Sequence, residues 1–189
     1  MLNIIFNSFY LFLLGSLHIF SQQNIINQDS TKTFPILTLE SLLNCSYQIG
    51  YSEDDPIKII KLKDGNCDFS KEVISKYGTS GTFLIWYDKH ISCELNSDSL
   101  IDAIIILKGK FGGTGVDPYV FPVLNVNGEP SPLKPFLLDD RVKIEKIYKK
   151  KSLVYLDLIV HDKGDGLCCP TKKETWKLKL KKNEFVRIN

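Results

Sequence analysis

Residues suited to catalysis are scarce in this chain. Its 189 residues include 3 histidines, 2 tryptophans and 1 methionine. No Cys-x-x-Cys pair is present, which removes the usual redox motif. No G-x-S-x-G elbow is present either, so Ser80 in Gly78-Thr79-Ser80-Gly81 lacks the setting of a hydrolase nucleophile. Repeats, low-complexity tracts and alternation of strands with long amphipathic helices are also missing, which argues against a doubly wound α/β fold. A net charge of +2 with 43% apolar residues excludes a disordered chain. At this length one domain is the expectation.

One long apolar stretch stands at the N-terminus. Met1 to Phe20 contains no Asp, Glu, Lys or Arg, and Phe9 to Leu14 precede the small residues Gly15 and Ser16. A short apolar core ending at small residues reads as a secretory leader rather than a membrane span. The sequence therefore predicts a signal peptide over 1–22, cleaved near Ser21 or Gln22. The first cysteine is Cys45, too late for a lipid anchor, so none is expected. Residues 23–35 are polar and end at Pro35, as a linker would, and 36–189 is the expected domain.

The five cysteines, Cys45, Cys67, Cys93, Cys168 and Cys169, all follow that leader, and an oxidising compartment permits disulfides. Five is odd, so at most two bridges form. The turn signal Asp64-Gly65 places Cys45 and Cys67 on paired strands, which predicts a Cys45–Cys67 disulfide. Adjacent cysteines bridge each other only with strain. Cys168 and Cys169 are therefore expected to be packed under a turn or bonded elsewhere, with Pro170 opening a rigid crossover. Replacing either by Ser should then cost about 1–3 kcal/mol.

Strand signals dominate the rest. Residues 57–62, 82–87 and 119–126 are β-branched and aromatic, and Ala103 to Leu107 is a continuous apolar run suited to a strand buried on both faces. Leu156, Leu158 and Val160, then Trp176, Leu178 and Leu180, recur with period two. One short helix is expected over 37–43, with Thr38 as its N-cap. The predicted fold class is mainly β, a β-rich α+β domain built on antiparallel sheet with at most one or two short helices. Residues 141–189 carry 14 Lys and Arg against 6 Asp and Glu. A basic face attracts phosphate or anionic lipid, but these lysines alternate with core residues, as on a solvated sheet face. Nucleic acid is not an expected partner of an exported protein.

Four segments occur in order: Glu94 to Ala103, Phe111-Gly112-Gly113-Thr114-Gly115, Leu138-Asp139-Asp140-Arg141-Val142-Lys143-Ile144, and Asp165-Gly166-Leu167-Cys168-Cys169-Pro170-Thr171. Together they resemble a group of uncharacterised exported bacterial proteins and lipoproteins with D-L-N-G-D-G-type, G-G-S-G, G-D-R-V and C-C-P-T segments, some joined to META-type domains. The likeness spans about Leu42 to Val186, and the C-C-P-T end is its most specific piece. This chain departs from the pattern where Ser97 and Ser99 stand in place of glycines. The resemblance implies export and a shared domain; it implies no activity.

Two residue sets have metal-ligand character. Glu94, Asn96, Asp98 and Asp102 follow the oxygen spacing of a calcium loop, without its glycine and without a Glu at the twelfth position. Cys168, Cys169 and His161 offer soft ligands for copper or zinc, one short of a four-ligand site. Neither set is complete, so no cofactor is expected. The sequence reads best as an exported, non-enzymatic structural or binding protein of the bacterial periplasm or cell surface, its partner an envelope protein or surface ligand. A copper- or zinc-binding protein and a hydrolase without a recognisable motif are the alternatives.

Overall fold

Thr38 caps the first helix as expected: its hydroxyl accepts a hydrogen bond from the Ser41 amide at 3.1 Å, and α1 spans Leu39–Leu43. The structure is a computed structural model that describes residues 35–50 and 58–188; the expected leader and nearly all of the linker lie outside the described residues. After α1 come β1 (Ser46–Ile49), β2 (Lys58–Lys61), β3 (Asn66–Asp68), α2 (Ser70–Tyr77), β4 (Phe83–Cys93), β5 (Asp102–Phe111) and β6 (Asp117–Val126). They are followed by β7 (Glu129–Pro132), β8 (Phe136–Leu137), β9 (Lys143–Lys150), β10 (Leu153–Val160), β11 (Lys172–Lys181) and β12 (Glu184–Ile188). Among the described residues, two short helices and antiparallel sheets make this a β-rich fold.

Tight turns set the order of the strands. Asp64-Gly65 and Asn127-Gly128 both hold two successive positive φ angles, +51° and +80° in the first and +55° and +92° in the second. That is the type I′ geometry whose twist matches a hairpin, and glycine takes its second position without steric cost. The strands form a two-stranded sheet β1-β2, a sheet ordered β3-β4-β5-β6-β7 with β8 also pairing β6, and a four-stranded sheet β12-β11-β10-β9.

The larger sheet is buried on both faces. Ala103, Ile105 and Leu107 of β5, with Tyr119, Phe121 and Val123 of β6, pack with Leu42 of α1, Tyr47 and Ile49 of β1, Phe69 just before α2 and Val73 of α2. From the opposite face Ile104, Ile106 and Val120 pack with Ile147, Leu156, Leu158 and Leu178 of the four-stranded sheet. This explains the unbroken apolar run in β5, because period two disappears when both faces are dry. Burying each such side chain stabilises the fold by about 1.5–3 kcal/mol.

The expected Cys45–Cys67 bridge is absent: both residues are thiols. The Asp64-Gly65 turn closes on Lys63 and Asn66, so Leu62 is the residue that comes opposite Cys67. Leu62 also donates its amide to the Cys45 carbonyl at 3.0 Å. The Leu62 strand thus runs between the two cysteines, which puts them two strand spacings apart, about 10 Å. A disulfide needs Cα atoms within about 7 Å.

Candidate functional site

Arg141 brings three of the four resemblance segments together. Its Nη2 donates to the Thr114 hydroxyl at 2.9 Å, and its Nη1 donates to the Leu167 carbonyl at 2.8 Å. Nη1 also pairs with Asp140 at 3.0 Å. Asp140 in turn accepts the Val116 amide at 3.0 Å, while the Arg141 amide donates to the Val116 carbonyl at 3.0 Å. The glycine-rich loop after β5, the turn before β9 and the loop between β10 and β11 are therefore joined through one guanidinium, whose side chain is 22% exposed. Its planar fork of donors can satisfy three acceptors at fixed angles, which a lysine cannot do. Gly115 lies so close to the Asp140 carboxylate that an added Cβ has no room.

The loop from Asp162 to Thr171 has its own anchor. Asp165 accepts hydrogen bonds from the Asp162 amide at 2.8 Å and from the Thr171 amide and hydroxyl, both at 2.9 Å. The Asp162 amide first, then Thr171, holds the Asp165 carboxyl below the usual carboxylate range. Within this frame Cys168 and Cys169 are bonded to each other, contrary to the expectation from sequence. On a strand they would point to opposite faces, but here the Cys169 amide donates to the Gly166 carbonyl at 2.9 Å and closes a turn across Leu167-Cys168. Both cysteines are also exposed, and the buried residue at this turn is Pro170, so the expected packed position is corrected as well.

Trp86 and Lys108 form the next wall. They are direct cross-strand partners on β4 and β5, on the face opposite Phe83 and Ile85. Lys108 pairs with Asp88 at 3.0 Å. With Thr114, Arg141, Lys143 and Cys168 they line an open groove of about 560 Å³. Among the described residues this lining presents an indole, three cations, a hydroxyl, a disulfide sulfur and the aliphatic side chains of Val116, Val142 and Ile144. It contains no carboxylate and no imidazole. Asp117, near Arg141 at the start of β6, is pushed above the carboxylate range by burial and by Asp140. Such a lining suits recognition of a small polar or anionic molecule.

The two metal-ligand sets fare differently from each other. Sulfurs joined in a disulfide are not thiolate ligands, which removes the soft donors next to His161. In the acidic loop, Glu94 accepts the Ser97 amide, Asn96 donates to Asp98 at 2.8 Å, and Asp98 accepts the Leu100 amide at 2.8 Å. Asp102 is buried and spans two segments, accepting the Leu95 amide at 2.7 Å and the Asn125 amide at 2.8 Å. Burial still raises its carboxyl against these donors. These carboxylates shape the loop and tie it to β6. Among the described residues no three His, Cys, Asp or Glu side chains converge as a metal site would require.

Other candidates remain scattered. Ser80 lies exposed between α2 and β4, and His90 shares a 2.9 Å hydrogen bond with the Tyr87 hydroxyl. Asp139 and Asp140, neighbours in sequence, lie just before β9. Cys93 and Cys45 are poor nucleophiles, because burial pushes the Cys93 thiol up to about 11 and raises Cys45 too. Sequence reasoning did not single out Trp86 or Lys108, whose local pattern is that of ordinary strand residues, and Lys143 entered only as part of the segment around Arg141. No family model, no curated protein and no solved structure matches the chain.

Proposed function

We propose that the protein is an exported, non-enzymatic binding module of the bacterial periplasm or cell surface, and that the groove beside Arg141 is its ligand site. The observation that carries this reading is the convergence on Arg141 of three loops that are distant in sequence. A guanidinium held by Asp140, Thr114 and the Leu167 carbonyl fixes the walls before any ligand arrives, and preorganisation lowers the cost of binding. Lys143 supplies charge for an anionic group, and Trp86 supplies an apolar face. The apolar N-terminal stretch supports export, as does an exposed disulfide, which persists in an oxidising compartment. The likeness of the four segments to exported bacterial proteins points the same way.

Thermal unfolding measured with a panel of small carboxylates, sugar acids and sugar phosphates tests the site. At least one should raise the melting temperature, and Trp86→Ala and Lys143→Gln should each abolish that shift. A shift retained in both variants, or conversion of the ligand to a product, would overturn the reading. For export, the intact mass of protein recovered from a bacterial envelope fraction should place the N-terminus near Gln22. Retention of Met1 to Phe20 would contradict it.

A further inference from the structure

The four-stranded sheet has one face in the core and one in solvent. Val154, Leu156, Leu158 and Val160 of β10 are buried, so Leu153, Tyr155, Asp157 and Ile159 face outward, each partly exposed. The register places Lys143, Lys146 and Lys150 of β9 beside Ile159, Asp157 and Leu153. On the other side Lys173 and Lys177 of β11 lie beside Ile159 and Tyr155, and Lys179 and Lys181 continue the same outward row toward β12. All seven lysines are exposed. Positions two apart on a strand are about 7 Å apart, and β9 and β11 are two strand spacings, about 10 Å, from each other. The outer face is thus a trough: two rows of ammonium groups flank a half-apolar floor.

Little on the protein neutralises those rows. Glu145 reaches Lys173 at 3.8 Å, and Asp157 in the floor accepts the Thr175 hydroxyl at 2.7 Å. Lys177, Lys179 and Lys181 have no ion-pair partner among the described residues, and Glu184 across from Lys181 is paired with Lys134 at 2.8 Å. Like charges in adjacent rows repel one another, so a bound polyanion relieves a cost already present in the free protein.

We propose that this trough binds a linear acidic polysaccharide, laid along β10 with its carboxylates or sulfates between the two lysine rows. The spacing of the rows admits a chain one sugar wide, whereas a bilayer needs a broad flat contact. Single-stranded nucleic acid needs free aromatic faces for base stacking. Here Tyr148 and Tyr155 stack on each other at 5.2 Å and 4°, with Lys150 over both rings and Lys146 over Tyr148. The trough shares Lys143 with the groove at Arg141, but Lys177, Lys179 and Lys181, the lysines without an ion-pair partner, lie outside that groove.

Fluorescence anisotropy of a labelled galacturonate octamer tests the inference on the full chain. In 50 mM salt the octamer should bind, a neutral glucan octamer should not, and 200 mM salt should weaken binding at least tenfold. Lys177→Gln, Lys179→Gln and Lys181→Gln together should weaken it at least tenfold. Lys63→Gln, Lys71→Gln and Lys76→Gln, an equal change of charge away from the trough, should change it less than twofold. Circular dichroism confirms that both triple variants fold. Absence of octamer binding in 50 mM salt, or equal weakening by the two triple variants, would overturn the proposal. So would tighter binding to vesicles of equal parts phosphatidylglycerol and phosphatidylcholine, or to an oligothymidylate of the same length.

Discussion

Ser97 and Ser99 hold φ angles of +68° and +70°, where an L side chain costs about 1–2 kcal/mol. Glycine avoids that cost. Ser97→Gly and Ser99→Gly should each stabilise the protein by up to about 1 kcal/mol, after allowance for the added freedom of the unfolded chain. Chemical denaturation measures this directly; a loss of stability in both would mean that the hydroxyls serve the loop. Asp102 gives the opposite expectation. Its two oxygens accept two amides in a buried position, and asparagine can offer only one acceptor while turning an NH2 on the other amide. Asp102→Asn should therefore cost about 2 kcal/mol, read as a lower denaturation midpoint. An unchanged midpoint would show that the loop and β6 are not coupled through this carboxylate.

At the scale of elements, the loop from Asp162 to Thr171 is held by Asp165 and Arg141 more than by its disulfide. A loop closed between adjacent residues is the shortest possible, so the cross-link restricts the unfolded chain little. Cys168→Ser with Cys169→Ser should cost no more than about 1 kcal/mol, because the exposed hydroxyls meet water. A loss of several kcal/mol would mean that the sulfurs are packed after all. The Asp165 carboxyl lies below its ordinary value, so its stabilising contribution is present above the ordinary carboxylate range and disappears as pH falls through the lowered value. The pH midpoint read from the Thr171 amide NMR signal should lie below the ordinary aspartate value of about 4, and Asp165→Asn should alter that signal at neutral pH. A transition centred near pH 4 in the wild type would contradict this.

The elements also show what a sequence can and cannot convey. β10 was legible because its inner face is dry and its outer face wet, so Leu156, Leu158 and Val160 keep period two. β9 was not, because the register with β10 shifts between Asp157 and Leu158, and that bulge sets the buried Ile144 and Ile147 three residues apart. α2 buries only Val73; its signals were Glu72 in the first turn, Lys76 in the last, and Gly78 as a left-handed C-cap. The Asp64-Gly65 turn was read correctly, but one further strand between Cys45 and Cys67 defeated the disulfide drawn from it. The groove was hidden for a related reason: the glycine-rich, Asp140-Arg141 and Cys168-Cys169 segments were visible as separate pieces, and only the fold shows that Arg141 joins them.

Across the whole molecule, β5 and β6 share both cores, the bracket at Arg141 ties loops from the sheets on either side of one of them, and the groove opens beside that bracket. On the proposed function, this groove binds a small polar or anionic ligand without transforming it. The most direct test is an NMR titration of isotopically labelled protein with small carboxylates, sugar acids and sugar phosphates, with the ligand spectrum followed in the same samples. Saturable shifts should concentrate at the Trp86 indole and at the amides of Thr114, Lys143 and Cys168, with the ligand unchanged at the end. Strongest shifts elsewhere in the molecule, or appearance of a product, would contradict it.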